Sequence, residues 1–177
     1  KSKHQNFDYG VATQRNDGWR KLLFHTRELL SYRMYLVSKQ SPFYERRWLT
    51  YLPENFQKLF RYRFFRSVLK SALVGWFLGL VEKVSPADKQ IAGQISAYGP
   101  AAVICNPTHA RGSSVDLEYL KAARQLGIPT VLPVAGWDNL TTKGLIYIQP
   151  DLFLAWNNAH REEAMKWHKV PAEIIKV

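Results

Sequence analysis

From Ala101 to Gly144 the chain reads AAVICNPTHARGSSVDLEYLKAARQLGIPTVLPVAGWDNLTTKG, and this stretch limits the fold more than any other. A short apolar run, a polar loop and a helix are followed by the same three units again. Short apolar strands separated by helices of ten or so residues imply a parallel sheet, since each helix carries the chain back to the edge it left. Strand ends and helix N-termini then meet at the carboxyl edge, where ligands sit in open parallel sheets. The expected strands are 101–105, 131–134, 151–155 and 172–177. The expected helices are 115–126, a short turn at 140–145, and 158–168. Ser113 or Ser114, Asp138 or Asn139, and Asn158 are the expected caps, with Glu162 and Glu163 favourable in the first turn of the last helix. The class predicted is α/β: a Rossmann-like parallel sheet of about four strands, preceded by basic, aromatic-rich α-helices.

The preceding hundred residues carry the charge. Residues 1–70 hold 15 Lys and Arg against 5 Asp and Glu, whereas residues 71–177 hold 10 against 9. The formal net charge of +11 is therefore an N-terminal property. Residues 1–18 read as a loop or frayed connector. Helical spacing of Leu22, Leu23, Leu29, Leu30, Met34 and Val37 predicts a helix over 19–38, which Ser41-Pro42 interrupts. A second helix is expected over 44–51, and Pro53 starts a third. The run 55–80 reads as one long helix or two joined near Gly75, ending by Ser85-Pro86. Another helix, 86–98, stops at Gly99-Pro100. Residues 1–100 are thus expected to form a helical region packed on the α/β region 101–177, the two making one domain. The chain begins with Lys rather than Met, so a longer parent chain is expected.

Cys105 is the only cysteine, which excludes an intrachain disulfide and fits a reducing cytosol. It ends an apolar strand and reads as a small buried hydrophobe. His160 and His168 are eight residues apart, too far for the i, i+4 pairing that clamps a metal, so no metal site is expected. The longest apolar run, Ala72–Val81, is about half of the ~20 residues a bilayer span requires. No signal peptide is recognisable.

Two loops carry the candidate chemistry. The first is Asn106-Pro107-Thr108-His109-Ala110-Arg111-Gly112-Ser113-Ser114. Backbone N–H groups at the start of the following helix can hold an anion or sugar hydroxyls, with Arg111 as cationic partner and Gly112 permitting tight curvature. A self-satisfied capped loop is the plainer reading. Binding is favoured, because nine consecutive polar or small residues exceed what capping requires. Neither the dinucleotide glycine fingerprint nor a Walker sequence is present.

The second loop, Gly136-Trp137-Asp138-Asn139-Leu140-Thr141-Thr142-Lys143-Gly144, places a carboxylate, an amide, two hydroxyls and an ammonium within six residues. Such a set can orient a polyhydroxylated or phosphorylated ligand, and a partly desolvated Asp138 can act as general base. Against this, Asp138 or Asn139 can simply cap, Trp137 pack and Lys143 face solvent. The two readings balance. Asn157, after Trp156, is a secondary candidate on the same edge.

The run Phe60-Arg61-Tyr62-Arg63-Phe64-Phe65-Arg66 admits three readings. An amphipathic helix with arginines snorkelling over core aromatics ranks first. Docking on an anionic membrane, with ALVGWFLGLV as apolar anchor, ranks second. Stacking on single-stranded nucleic acid ranks last, as no RNA-binding signature accompanies the charge.

The GIPT strand, the GWDNLTTKG loop, the PDLFLAWN strand and the HREEAMKWHKVPAEIIKV tail together resemble the N-terminal half of bacterial glycosyltransferase-like proteins of the GT-B type, which have two facing Rossmann-like domains. In those relatives a loop Ser-Trp-Asp-Asn-Leu-Thr/Ser-x-Lys follows the GIPT strand. Trp137, Asp138, Asn139, Leu140, Thr141 and Lys143 match it, while Gly136 replaces the usual Ser. The likeness covers residues 101–177. It implies a nucleotide-sugar-dependent transferase acting in surface or lipid-linked carbohydrate synthesis. The carbohydrate or lipid-linked acceptor would sit on this half, and the donor mainly on a second, C-terminal Rossmann domain. No cofactor is implied beyond the nucleotide-sugar donor as co-substrate. In that reading Asp138 orients or deprotonates the acceptor and Asn139 and Thr142 bind hydroxyls. Arg111 and Lys143 would offset diphosphate charge. Asn106, Thr108, His109, Gly112, Ser113, Trp137 and Asn157 complete the expected substrate-binding set. The location implied is the cytoplasm, at the inner face of the membrane. A sugar-nucleotide epimerase of the same architecture and a noncatalytic basic binding domain are the rival readings.

Overall fold

The computed structural model describes residues 10–38, 41–106 and 114–177. Six helices come first: α1 (Trp19–Ser38), α2 (Pro42–Tyr51), α3 (Glu54–Phe60), α4 (Arg63–Lys70), α5 (Ala72–Val84) and α6 (Lys89–Tyr98). The alternating part follows as β1 (Val103–Ile104), α7 (Val115–Gln125), β2 (Thr130–Pro133), α8 (Asn139–Thr142), β3 (Leu152–Leu154), α9 (Asn158–His168), a 3₁₀ turn at Ala172–Ile174 and β4 (Ile175–Lys176). The strands lie in chain order, β1-β2-β3-β4, and every pairing is parallel. The protein is α/β with a Rossmann-like parallel sheet.

Local chemistry explains where elements begin and end. Asp88 accepts from the backbone N–H groups of Gln90 and Ile91, so α6 starts at Lys89 and not at Pro86. Gly99 closes α6 in the left-handed conformation (φ 56°), as a glycine stop should. The aromatic-basic run breaks at Arg61-Tyr62 and at Ser71, not at Gly75. Ser71 leaves the helical region (ψ 146°) and its hydroxyl caps Val74. Gly75 lies inside α5, beside the Arg33 guanidinium, and a Cβ there would fall 2.5 Å from Arg33 Cζ. At α9 the cap is Asn157 rather than Asn158, which moves Glu162 and Glu163 beyond the first turn. Ser114 occupies the N-cap position of α7 without a capping side-chain bond, and Ser113 lies outside the described residues.

Register alternation sorts the sheet residues. Leu132, Phe153 and Ile175 are aligned across β2, β3 and β4, and all are buried. With Leu140, Ile146, Ala164 and Val170 they form one apolar core. A second core joins Tyr32, Tyr35, Trp48, Phe60, Leu69 and Leu78 of the helical region. Cys105 is buried at the end of β1, and desolvation, aided by the charge of Asp116, pushes its thiol up to about 12.

A buried polar network joins these layers. Arg27 of α1 donates from Nε and Nη2 to Glu82 of α5 (2.7 and 3.0 Å) and from Nη1 to Glu118 of α7 (2.5 Å). Arg15 reaches Glu118 from the other side at 2.9 Å and also pairs with Asp17. Lys121 donates to the Glu82 carboxylate (3.0 Å), to its carbonyl (2.7 Å) and to the Ser85 hydroxyl. Burial alone would push Glu82 up, but Arg27 and Lys121 hold its carboxyl below the usual range. Arg15 thereby pins residues 13–17, expected to fray, onto α7, where the Thr13 N–H also donates to the Tyr119 hydroxyl. Gly144 (φ 99°) makes a further contact between the regions. A Cβ there would meet Ser31 Oγ at 2.8 Å and Trp48 at 2.9 Å.

Removing one member of such a network strands buried charge. Arg27→Met is expected to cost about 3–5 kcal/mol, read as a lower urea midpoint with an unchanged slope. A loss below about 1 kcal/mol would show that the network carries little of the fold.

Candidate functional site

The ends of β1, β2 and β3 emerge side by side from the sheet. The Cys105 N–H donates to the Val131 carbonyl and the Val134 N–H to the Leu154 carbonyl, so pairing persists to the carboxyl edge. Asn106, the loop from Ala135 to Asp138, and Trp156-Asn157 therefore share that edge. Asn106 is half-buried. Thr108, His109, Arg111, Gly112 and Ser113 lie outside the described residues.

At the end of β2 the short helix α8 is held on three sides. Its last carbonyls have no partners within so short a helix, and each finds a side chain from a different element. His168 of α9 meets the Leu140 carbonyl at 2.7 Å, Tyr35 of α1 donates to that of Thr141 at 3.0 Å, and Trp48 of α2 to that of Thr142 at 3.3 Å. His168 Nδ1 accepts from the Ile146 N–H (3.1 Å), which leaves Nε2 as the donor to Leu140. The residue is a neutral structural clamp, its pKa pushed down to about 4 by burial.

Held in this way, the loop presents its polar groups unequally. Asp138 stands at the N-cap position of α8 but makes no capping side-chain bond. Its Oδ2 lies 2.9 Å from the Thr142 hydroxyl and 3.7 Å from Lys143 Nζ. Partial burial pushes the carboxyl up, yet the Thr142 hydrogen bond and the Lys143 charge outweigh it and hold the group below its ordinary value. Arg47 of α2 is close enough for Asp138 to contribute to keeping its guanidinium charged, after Tyr51, whose hydroxyl accepts from Nε at 2.8 Å. Trp137 is 77% exposed beside the carboxylate. Its carbonyl lies 3.2 Å from His160 Nε2, and Trp156, stacked at a tilt on that imidazole, donates to the Val134 carbonyl at 2.6 Å.

Two expected ligand contacts change character. Asn139 is only 2% exposed and turned inward, so it shapes the loop and does not meet a ligand in this conformation. Its amide also explains Gly136, where a Cβ would sit 2.8 Å from Asn139 Oδ1. The Asn157 side-chain oxygen accepts from the His160 N–H (2.9 Å) as the cap of α9. The site as described thus consists of Asp138, Thr142, Lys143 and Trp137, with Arg47 added from α2. Arg47 lies on a helix remote in sequence from the loop, so nothing in the sequence tied it to the site. Tyr35, Trp48 and His168 carried no signal, since each acts on a segment about a hundred or about thirty residues away.

Among the described residues, clefts of about 330, 520 and 260 Å³ open elsewhere. They lie between the ends of α1 and α9, beside the buried ion network, and next to Pro129 and Asp151. Asp138 and Trp137 line none of the three. The case for the carboxyl edge therefore rests on the convergence of charge and exposed aromatic surface.

No protein-family model, curated protein or solved structure matches this chain.

Two outcomes follow from the loop geometry. Thr142→Val deletes the hydroxyl donor and should raise the Asp138 pKa toward its ordinary value in a carboxyl-carbon NMR titration; an unmoved titration would mean the bond is absent in solution. His168 has a depressed folded pKa, so the unfolded chain takes up the proton first. Stability should hold above pH 6.5, fall by on the order of 3 kcal/mol down to about pH 4, and level off below. Urea unfolding across that window should show the slope, and His168→Gln should flatten it.

Proposed function

We propose that this chain is the acceptor-side domain of a nucleotide-sugar-dependent glycosyltransferase that builds surface or lipid-linked carbohydrate. One observation carries the reading. The Asp138 carboxylate, at the end of a parallel strand, is kept ionised by Thr142 and Lys143 and is not consumed as a helix cap. A fixed anion can orient a sugar hydroxyl and take its proton late, once the forming glycosidic bond has acidified it; held below the ordinary carboxylate range, it is a weaker base than an unpaired Asp. The atoms balance simply: the acceptor oxygen bonds the anomeric carbon, the bond to the donor phosphate breaks, and the nucleoside diphosphate leaves. Lys143 and Arg47 supply positive charge near that leaving group, and Arg111 of the first loop would add to it. Trp137 offers an exposed ring for the apolar face of a pyranose. The nucleotide sugar serves as co-substrate, bound mainly by a second Rossmann-like domain.

The mutational test uses the full-length protein with a nucleotide sugar and acceptor. Asp138→Asn should lower turnover by about two to four orders of magnitude with little change in substrate binding. Unchanged turnover removes Asp138 as the base. Reaction without any acceptor would instead assign the site to epimerisation.

A further inference from the structure

The helix α5 is apolar on nearly every side, and the fold buries only part of it. Leu78 and Glu82 face the core and the ion network. On the opposite side, Leu73 (72% exposed), Trp76 (63%), Phe77 and Val84 stand in solvent, with Leu80 half-buried among them. These positions fall at i, i+3, i+4, i+7 and i+11, a continuous stripe along one helix face. Exposed apolar residues scattered singly need no explanation, but an aligned stripe containing Trp and Phe does. Across the Ser71 elbow, where the two axes bend by 64°, α4 continues the pattern with exposed Phe64 and Val68, and Tyr62 stands exposed just before it.

Charge is arranged around this surface. Arg61 just before α4, Arg63 and Lys70 on it, and Lys83 on α5, are exposed and make no ion pair among the described residues. Arg66 differs, being paired with Glu45 at 3.1 Å. Snorkelling over core aromatics accounts for Phe60 and Phe65, which pack inward, but not for Trp76, Phe77 or Phe64. No single helix among the described residues is long and apolar enough to cross a bilayer. A bent pair with an outward apolar stripe and flanking cations instead matches a segment that lies in the plane of a membrane surface.

We infer that α4 and α5 form an interfacial docking element that seats this protein on an anionic lipid bilayer. Trp76, Phe77, Leu73 and Phe64 enter the boundary between headgroups and acyl chains, and Arg61, Arg63 and Lys70 meet lipid phosphates. Charge complementarity selects this occupant over a second copy of the chain, whose equally basic helices would repel at the same contact. The inference does not depend on the transferase reading.

The test is cosedimentation of full-length protein with phosphatidylcholine vesicles, with and without about 30% phosphatidylglycerol, at low and physiological salt, without any sugar nucleotide. Binding should require the anionic lipid and weaken with salt. Trp76→Glu with Phe77→Glu should abolish it, and Arg61→Ala with Arg63→Ala should reduce it by about tenfold or more. All four side chains are exposed, so the variants should keep the parent thermal melt. Lys166→Glu with Lys169→Glu, at the C-terminal end of α9, should leave binding unchanged. The proposal is overturned if the Trp76/Phe77 variant still binds, or if the α9 variant loses as much as the α4 variant. It is equally overturned if single-stranded DNA, and not vesicles, is bound through the arginines.

Discussion

Arg27 lies between two carboxylates that reach it from opposite directions, Glu82 from the helical region and Glu118 from the α/β region. Through that meeting α1 and α5 are tied to α7. Isolated, each of these charges would oppose burial strongly. Together with Arg15, Asp17 and Lys121 they balance three positive against three negative side chains, and nearly every donor has an acceptor. Apolar contacts also cross between the regions, with Ile91 and Ile95 of α6 packed against Ala122 and Ala123 of α7, and the polar junction adds a directional constraint on how α1 and α5 sit on α7. Hydrophobic packing is tolerant of small shifts, whereas a bidentate guanidinium is not. The network therefore acts as a register pin between layers.

The same logic recurs at smaller scale around α8. A helix of four residues cannot satisfy its own carbonyls, and three side chains from three other helices do so. The clamp leaves Asp138 facing outward with its charge retained, because Thr142 and Lys143 lie within the clamped segment and move with it. Rigidity and charge at this loop have one origin. A carboxylate fixed in this manner orients a ligand hydroxyl at little entropic cost, which is what a site at a strand end requires.

The helical region thus has two faces with different roles. Its inner face supplies Arg27, Tyr35 and Trp48 to hold the α/β region in place. Its outer face, through α4 and α5, exposes aromatic and cationic groups that the fold does not use. In a single amphipathic helix these tasks would compete. Breaking the run at Ser71 separates them, since α5 can turn Leu78 inward while Trp76 and Phe77 turn out.

Periodicity and punctuation alone determined the class, the parallel sheet, the spans of α1 and α9, and the stop at Gly99. Those depend on residues within a few positions of one another, which composition and spacing report directly. The loop 136–144 was also legible as a cluster of polar groups at a strand end. Only the tertiary structure decided which of those groups face outward. Asn139 turned inward because Gly136 leaves room for its amide, and Asn157 was drawn into capping α9. Arg15, Arg27, Glu82, Glu118 and Lys121 carried no signal in the sequence, for their partners across the network are 39 to 103 residues distant. The apolar run 72–81 read as too short for a bilayer span and as a candidate anchor beside the basic residues; which of its side chains stand exposed became visible only once packing had claimed one side of the helix. Local order is written in neighbouring residues; burial, and with it charge state and exposure, is a property of what folds against them.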